Sequence, residues 1–527
     1  MRSIVTVTAA GALALTLAAC GGTDNPTGGD SFADGKTFTL VLSSDPGTLD
    51  PHFTSISVAG QVDRFLYDSL LNLDEKGAAV AGLAEKWEST TTTAKYTLRK
   101  GVTCADGTPL TATDVAANIT FVGDPKNAST RLGVYVPPGA TAVGDDAAGT
   151  VTVTSPAPDP FLDRNVGSLH IVCKKGMAAR DTLKQGSDGT GMYTMTEAVT
   201  GDHYTLTRRK EYAWGPGDWK ADQRGLPDKV VLRVVGNETT TVNLLLSGEV
   251  NAAIVVGPDR QRLQAAKLHE RPTVAPLGEL WFNQKAGMPG ADEAVRRALT
   301  QALNLDQLGQ VVSSGSGKRS TGLVSLGGPC GDGNAVSLLP AFDANAAKAG
   351  LDAAGWTAGA DGVRVKDGKK LAVLFYFPTS VGPGMQAGAE LLQKEWSALG
   401  VEVTLKAVTD AEIGQLVVGG QGAWQAAFLP LGVPVPTALV AFLSGPNPPN
   451  GVNLASVNNA EYAALAKEAA GVPGTQGCPK WTAAEDALFK KVDIVPFVDS
   501  SIPTFGKGAT FELSQGAVIP GSIRMLA

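Results

Sequence analysis

Histidine is scarce in this chain. Only four occur in 527 residues, His52, His170, His203 and His269, and they are scattered along its length. Scattered imidazoles give neither a metal cluster nor a base paired with a nucleophile, and the GxSxG, HExxH and GxGxxG patterns are absent. The one stretch resembling a phosphate loop, Gly315-Ser316-Gly317-Lys318, fails in detail. Arg319 stands where a magnesium-binding hydroxyl is required, and Val312 occupies the first glycine position, so the segment reads as a loop after a helix. Excess positive charge is also missing. With 44 basic against 51 acidic residues the net charge is −7, which excludes nucleic acid and anionic lipid as partners. Five cysteines appear, none in a CxxC or a Cys/His zinc spacing. No catalytic residue, no cofactor and no metal site is expected.

Long apolar runs are few as well, and the one near the start carries information. Arg2 precedes an uninterrupted stretch of apolar and small residues, Ile4 to Ala19, ending in Leu17-Ala18-Ala19-Cys20. The run is shorter than the roughly 20 residues a membrane-spanning helix needs. It reads as a lipoprotein signal, residues 1–19, cleaved before Cys20, whose thiol accepts a diacylglycerol. Two acyl chains hold a protein stably at a membrane. Residues 20–36 are rich in Gly, Asp, Thr and Ser and form a flexible tether, so the body is expected outside the cytoplasm, at the outer face of the cell membrane.

The remaining chain exceeds what one core supports. Alternation marks strands at Thr37–Leu42, Thr150–Thr154, Tyr204–Thr207 and Val230–Val235. From about residue 285 helices alternate with strands. Apolar positions from Glu293 onward predict one helix through Val295–Leu308, Asp343 caps another, and a third ends at Gly400 before the strand Val401–Leu405. The last residues, Phe505–Ala527, turn strand-like again. The expected division is a first lobe of residues 37–279 plus 500–527, with an extra subdomain at about 59–166, and a second lobe of 280–499. Four cysteines remain beyond Cys20 and allow three connectivities; lobe membership favours Cys104–Cys173 and Cys330–Cys478, with four buried free thiols as the alternative.

Ordered motifs then accumulate. They are Pro46-Gly47-Thr48-Leu49-Asp50-Pro51, Phe65-Leu66-Tyr67-Asp68-Ser69-Leu70 and Gly82-Leu83-Ala84-Glu85-Lys86-Trp87. Next come Tyr96-Thr97-Leu98-Arg99-Lys100-Gly101-Val102, Asp106-Gly107-Thr108-Pro109-Leu110-Thr111-Ala112-Thr113-Asp114-Val115 and Gly189-Thr190-Gly191-Met192-Tyr193. Gly248-Glu249-Val250-Asn251, Phe282-Asn283, Val295-Arg296-Arg297-Ala298-Leu299 and Ala353-Ala354-Gly355-Trp356 complete the set. Together they resemble the peptide/nickel-class solute-binding proteins of ABC importers, extracellular solute-binding family 5, over residues 38–500. The resemblance implies an α/β, two-lobed periplasmic-binding-protein-like fold of the class with an extra subdomain, its hinged lobes closing on a central ligand cleft. It implies a monomer that captures a small-molecule or peptide-like solute and hands it to membrane permease subunits. A ligand-sensing receptor or chaperone of the same fold, or metal or haem capture, are the alternatives.

Peptide binders of that family place an aspartate in an acidic segment of the second lobe, which pairs with the peptide's ammonium. Here the corresponding position is Gly432, and no carboxylate occurs between Glu412 and Glu461. The expected lining is therefore apolar: Ile254, Val255 and Val256 from the first lobe, Phe428, Leu429, Leu431 and Gly432 from the second, Asn283 nearby, and Trp281 and Trp424 as stacking surfaces, with Ser44 and Asp45 on the opposite wall. The expected guest is bulky, largely apolar and not anchored through a free N-terminus.

Overall fold

The computed structural model describes residues 32–54, 56–74, 78–216, 219, 222–324, 328–433 and 435–527. The signal segment and Cys20 lie outside the described residues. Among those described, no helix is long and apolar enough to cross a membrane.

An eleven-stranded sheet runs through the molecule. Its centre is a pair of long antiparallel strands, His269–Phe282 and Ile494–Gly506, registered from His269 against Gly506 to Trp281 against Ile494. At the His269/Gly506 end, Ile494–Gly506 pairs with Ala252–Ile254, followed outward by Thr37–Leu42, Lys229–Val234, His203–Arg208 and Tyr193–Val199. At the other end, Leu280–Phe282 pairs with Ala426–Phe428, then Ala372–Pro378 and Glu402–Val408 follow. The register slips between Pro276 and Glu279, midway along the pair. A bulge there bends the ribbon and raises its twist.

Each end of the ribbon carries its own core. The first gathers Phe38, Phe65, Tyr96, Val115, Tyr193 and Leu232, and is completed by Ala509, Phe511, Leu513 and Met525 from the C-terminus. The second gathers Trp281, Phe375, Leu392, Trp396, Phe428 and Phe489. A smaller cluster around Val242, Leu245, Val255 and Phe505 lies beside the first.

Local chemistry explains much of this. Helix Ala112–Gly123 starts at a reciprocal cap in which Thr111 and Asp114 each accept from the other's backbone N–H. It packs so tightly that a Cβ at Gly123 would meet the Ala140 carbonyl at 2.2 Å. A four-stranded sheet of Ala84–Ser89, Thr93–Leu98, Thr150–Thr154 and Thr141–Asp145 lies beside it. Asp343 caps helix Ala344–Ala353, and Gly400 turns at φ +85° after helix Pro383–Ala398. The helix expected through Val295–Leu308 is two helices, Glu293–Gln301 and Leu305–Val312. Asn304 breaks it, because its side chain accepts from Gln307 N and caps the second. The loop expected at Gly315–Lys318 includes a short strand, Gly317–Lys318, paired with Asp499–Ser500.

Cys104 is joined to Cys173 within the first lobe and Cys330 to Cys478 within the second.

Candidate ligand cleft

Among the described residues the chain passes between the two cores on the paired long strands, and the lobes also touch elsewhere. Ser44 Oγ donates to Asp410 Oδ2 at 3.3 Å. Asn165 Nδ2 donates to Thr437 Oγ1 at 3.0 Å, and Phe161 packs on the second core. A Cβ built at Gly382 would lie 3.7 Å from Val256 Cγ2. Ser44 and Val256, both half-buried, belong to this boundary; Leu431 is half-buried against the second core and Gly432 is exposed.

Asp45 does not offer a free charge there. Its carboxylate accepts from Gly47 N, Gly201 N and Tyr204 Oη at 2.6–2.8 Å, fixing the turn after the first strand. Ile254 is 38% exposed at the end of its strand, while Val255 is fully buried in the small cluster beside the first core.

The expected aromatic lining is core instead. Trp281 is fully buried, and its Nε1 donates to the Leu429 carbonyl at 2.8 Å and to Glu279 Oε2 at 3.3 Å. Asn283 Nδ2 donates to the Trp424 carbonyl at 2.9 Å, which ties the strand ends together, and Trp424 itself is buried. Phe428 packs edge-on against Phe375, with ring centroids 4.8 Å apart, and Leu429 is buried beside it. The reason is the place of Ala426–Phe428 in the sheet: its edges pair with Ala372–Pro378 and Leu280–Phe282, and all three of its side chains are buried in the second core, so both faces are covered as well. A strand inside such a sheet reads as a continuous apolar run whether or not a ligand is near.

A hollow of about 540 Å³, mouth included, opens in the second lobe against helix Pro436–Leu443, whose Thr437 touches the first lobe. Its narrow interior leaves only about 30 Å³ of room for water centres. Three carboxylates line it: Asp332, Glu485 and Asp499. Trp481 and Tyr462 supply rings, and Gly322, Gly331 and Gly333 supply bare backbone. Helix Cys478–Lys490 presents Glu485, with Oε1 accepting from Leu323 N at 2.8 Å. Burial raises Glu485 to about 7 against the backbone donors that stabilise its charge. Asp499 sits on the ribbon where it crosses between lobes. Ser320 Oγ donates to it, and burial together with Asp332 pushes its carboxyl up.

Behind this hollow lies Glu279, fully buried at the register slip. Its Oε2 accepts from Leu431 N at 3.0 Å, so it fixes the loop that leads to Gly432. Burial raises its carboxyl far above the usual range, with Asp499 and Glu485 adding to the effect.

Reading the sequence alone missed Glu279, Asp332, Glu485 and Asp499. One signal was available: Trp481, Ala484, Glu485 and Leu488 share the inward face of their helix, where one acid among apolar neighbours is out of place.

The chain matches the model for bacterial extracellular solute-binding proteins, family 5 (middle), over residues 78–446. Protein XP55 of Streptomyces lividans is 26% identical over 360 residues, 65% of this chain and 62% of that one. The glutathione-binding protein GsiB of Escherichia coli O1:K1 is 27% identical over 305 residues, 55% of this chain and 56% of that one. The matched stretches thus span less than two thirds of these curated relatives. Among solved structures, a substrate binding protein from Microbacterium hydrocarbonoxydans complexed with 4-hydroxybenzoate hydrazide aligns at TM-score 0.81 and 27% identity, covering 93% of this chain and 100% of that one. The oligopeptide-binding protein AppA of Bacillus subtilis, in complex with a nonapeptide, aligns at TM-score 0.79 and 18% identity, covering 94% and 100%.

Proposed function

Because this chain belongs to the bacterial extracellular solute-binding proteins, family 5, we propose that it is the substrate-binding lipoprotein of an ABC importer. It is held by a lipid on Cys20 at the outer face of the cell membrane. It captures a solute by closing its lobes and delivers it, as a monomer, to membrane permease subunits. The observation that carries this reading is the mechanical one: two cores joined by a bent two-strand ribbon, with polar contacts at Ser44–Asp410 and Asn165–Thr437 where they meet. Such an arrangement suits hinge closure, in which contacts made only in the closed form shift the equilibrium toward it.

The proposed solute is peptide-like or another bulky molecule whose body is largely apolar. Val256, half-buried and facing Gly382 of the second lobe, supports that surface. It is not held through a free N-terminus at position 432, where glycine offers no counter-charge. Burying an ammonium without a partner is costly.

Native mass spectrometry of protein purified without denaturation tests the reading. A bound small molecule that is lost on unfolding and restores thermal stability when added back is expected. A saturating solute at 100 times its dissociation constant stabilises by about 2.7 kcal/mol. Protein that carries no solute, and that no peptide or metabolite stabilises, would refute solute capture.

A further inference from the structure

We propose that the acidic hollow of the second lobe receives one organic cation, an ammonium or guanidinium group, as the charged end of the captured solute. The proposal rests on the importer reading and names the chemistry of its site.

Charge balance is the first ground. Asp332, Glu485 and Asp499 line the hollow, and no lysine or arginine does so among the described residues. Of the three, Glu485 is buried, Asp499 half-buried and Asp332 exposed; a buried carboxylate without a counter-charge costs several kcal/mol unless something repays the lost hydration. The raised carboxyls of Glu485 and Asp499 express that cost. The groups facing Glu485 do not repay it: Asp486 on its own helix, Glu279 behind it and Tyr462 across from it are acidic or neutral.

The second ground is independent of charge. Tyr462 lines the hollow, is 2% exposed, and its hydroxyl has no hydrogen-bond partner. A buried hydroxyl is ordinarily satisfied, so a vacant one in a cavity wall marks a place built for another polar group.

Shape sets the class of cation. The interior, with about 30 Å³ of room for water centres, holds a head group and not a whole peptide. Among the described residues no three acidic, histidine or cysteine groups are placed to hold a metal ion. The rings of Tyr462 and Trp481 and the side chain of Leu439 instead suit an organic cation with an apolar stem. Glycine keeps the wall open: a Cβ at Gly333 would fall 2.3 Å from Glu485 Oε2. The Cys330–Cys478 disulfide fastens that glycine loop to the helix bearing Glu485.

Three blocked probes test this by calorimetry at pH 8 on solute-free protein: N-acetyl-lysine amide, N-acetyl-norleucine amide and N-acetyl-glutamate amide. They share a body and differ in terminal charge. The lysine probe is expected to bind at least tenfold tighter than the norleucine probe, and the glutamate probe not at all. Glu485→Gln and Asp499→Asn should each abolish the preference for lysine over norleucine, with thermal melts showing that both variants fold. Equal affinity for lysine and norleucine, or a preference that survives both substitutions, overturns the cation site and leaves the importer reading standing. If no probe binds and native mass spectrometry finds no solute, both fall together.

Discussion

Replacing Glu485 by glutamine should stabilise the solute-free protein, and the gain should depend on pH in a calculable way. In the folded chain this carboxyl titrates near 7, against 4.5 for an ordinary glutamate. The folded state therefore binds more protons than the unfolded state between those values, and stability falls as pH rises through that window. A separation of about 2.5 pH units corresponds to about 3 kcal/mol, fully expressed above pH 8 and absent below about 4.5. Glutamine is neutral throughout and retains an oxygen to accept from Leu323 N. Urea unfolding of both proteins at pH 4.5, 6, 7 and 8 should thus give curves that coincide at the acidic end. They should diverge to about 3 kcal/mol in favour of E485Q at the alkaline end. The neighbouring acids Glu279 and Asp499 are present in both proteins and cancel to first order in the difference. A pH-independent difference would refute the reasoning, because it would mean that the carboxylate is hydrated or already balanced by a cation. If the curves diverge as expected, E485Q joins greater stability to lost cation recognition, a pairing that no general folding defect can produce.

Trp281 separates packing from binding: Trp281→Phe, which keeps a ring but strands the Leu429 carbonyl, should cost about 1–3 kcal/mol in denaturant unfolding. Trp281→Ala should cost about 3–5 kcal/mol, and near-wild-type stability would place the ring in an open cleft. Replacing Cys330 and Cys478 together by serine removes a crosslink spanning 148 residues and should cost about 2–5 kcal/mol, read as a lowered urea midpoint. The same double variant should lose lysine-probe affinity as the Gly331–Gly333 loop relaxes; full affinity would show that the loop needs no fastening.

What was legible in the sequence was what local patterns encode. The strand Thr37–Leu42 alternates and is flanked by turn residues, so its bounds could be read to the residue. Asp343 and Gly400 act within one helical turn, and they sit where the pattern of caps put them. Trp281, Trp424 and Phe428 were misplaced because an apolar aromatic looks the same in a cleft wall as in the middle of a sheet. Only the packing of the folded core against both faces of Ala426–Phe428 tells them apart. The acids of the hollow escaped notice for another reason. Asp332, Glu485 and Asp499 come from a disulfide-tied loop, a helix face and a crossing strand, and their proximity is a property of the fold alone.

The C-terminal residues that complete the first core have a consequence for how the chain is made. Ala509, Phe511, Leu513 and Met525 pack against Phe38, Tyr193 and Leu232, residues synthesised hundreds of positions earlier. A nascent polypeptide that emerges from its amino end cannot seal this core until residues 509–525 have been made. The second lobe, whose core draws on residues 277–498 and Phe161, is able to consolidate sooner. The half that emerges first is the half that finishes last.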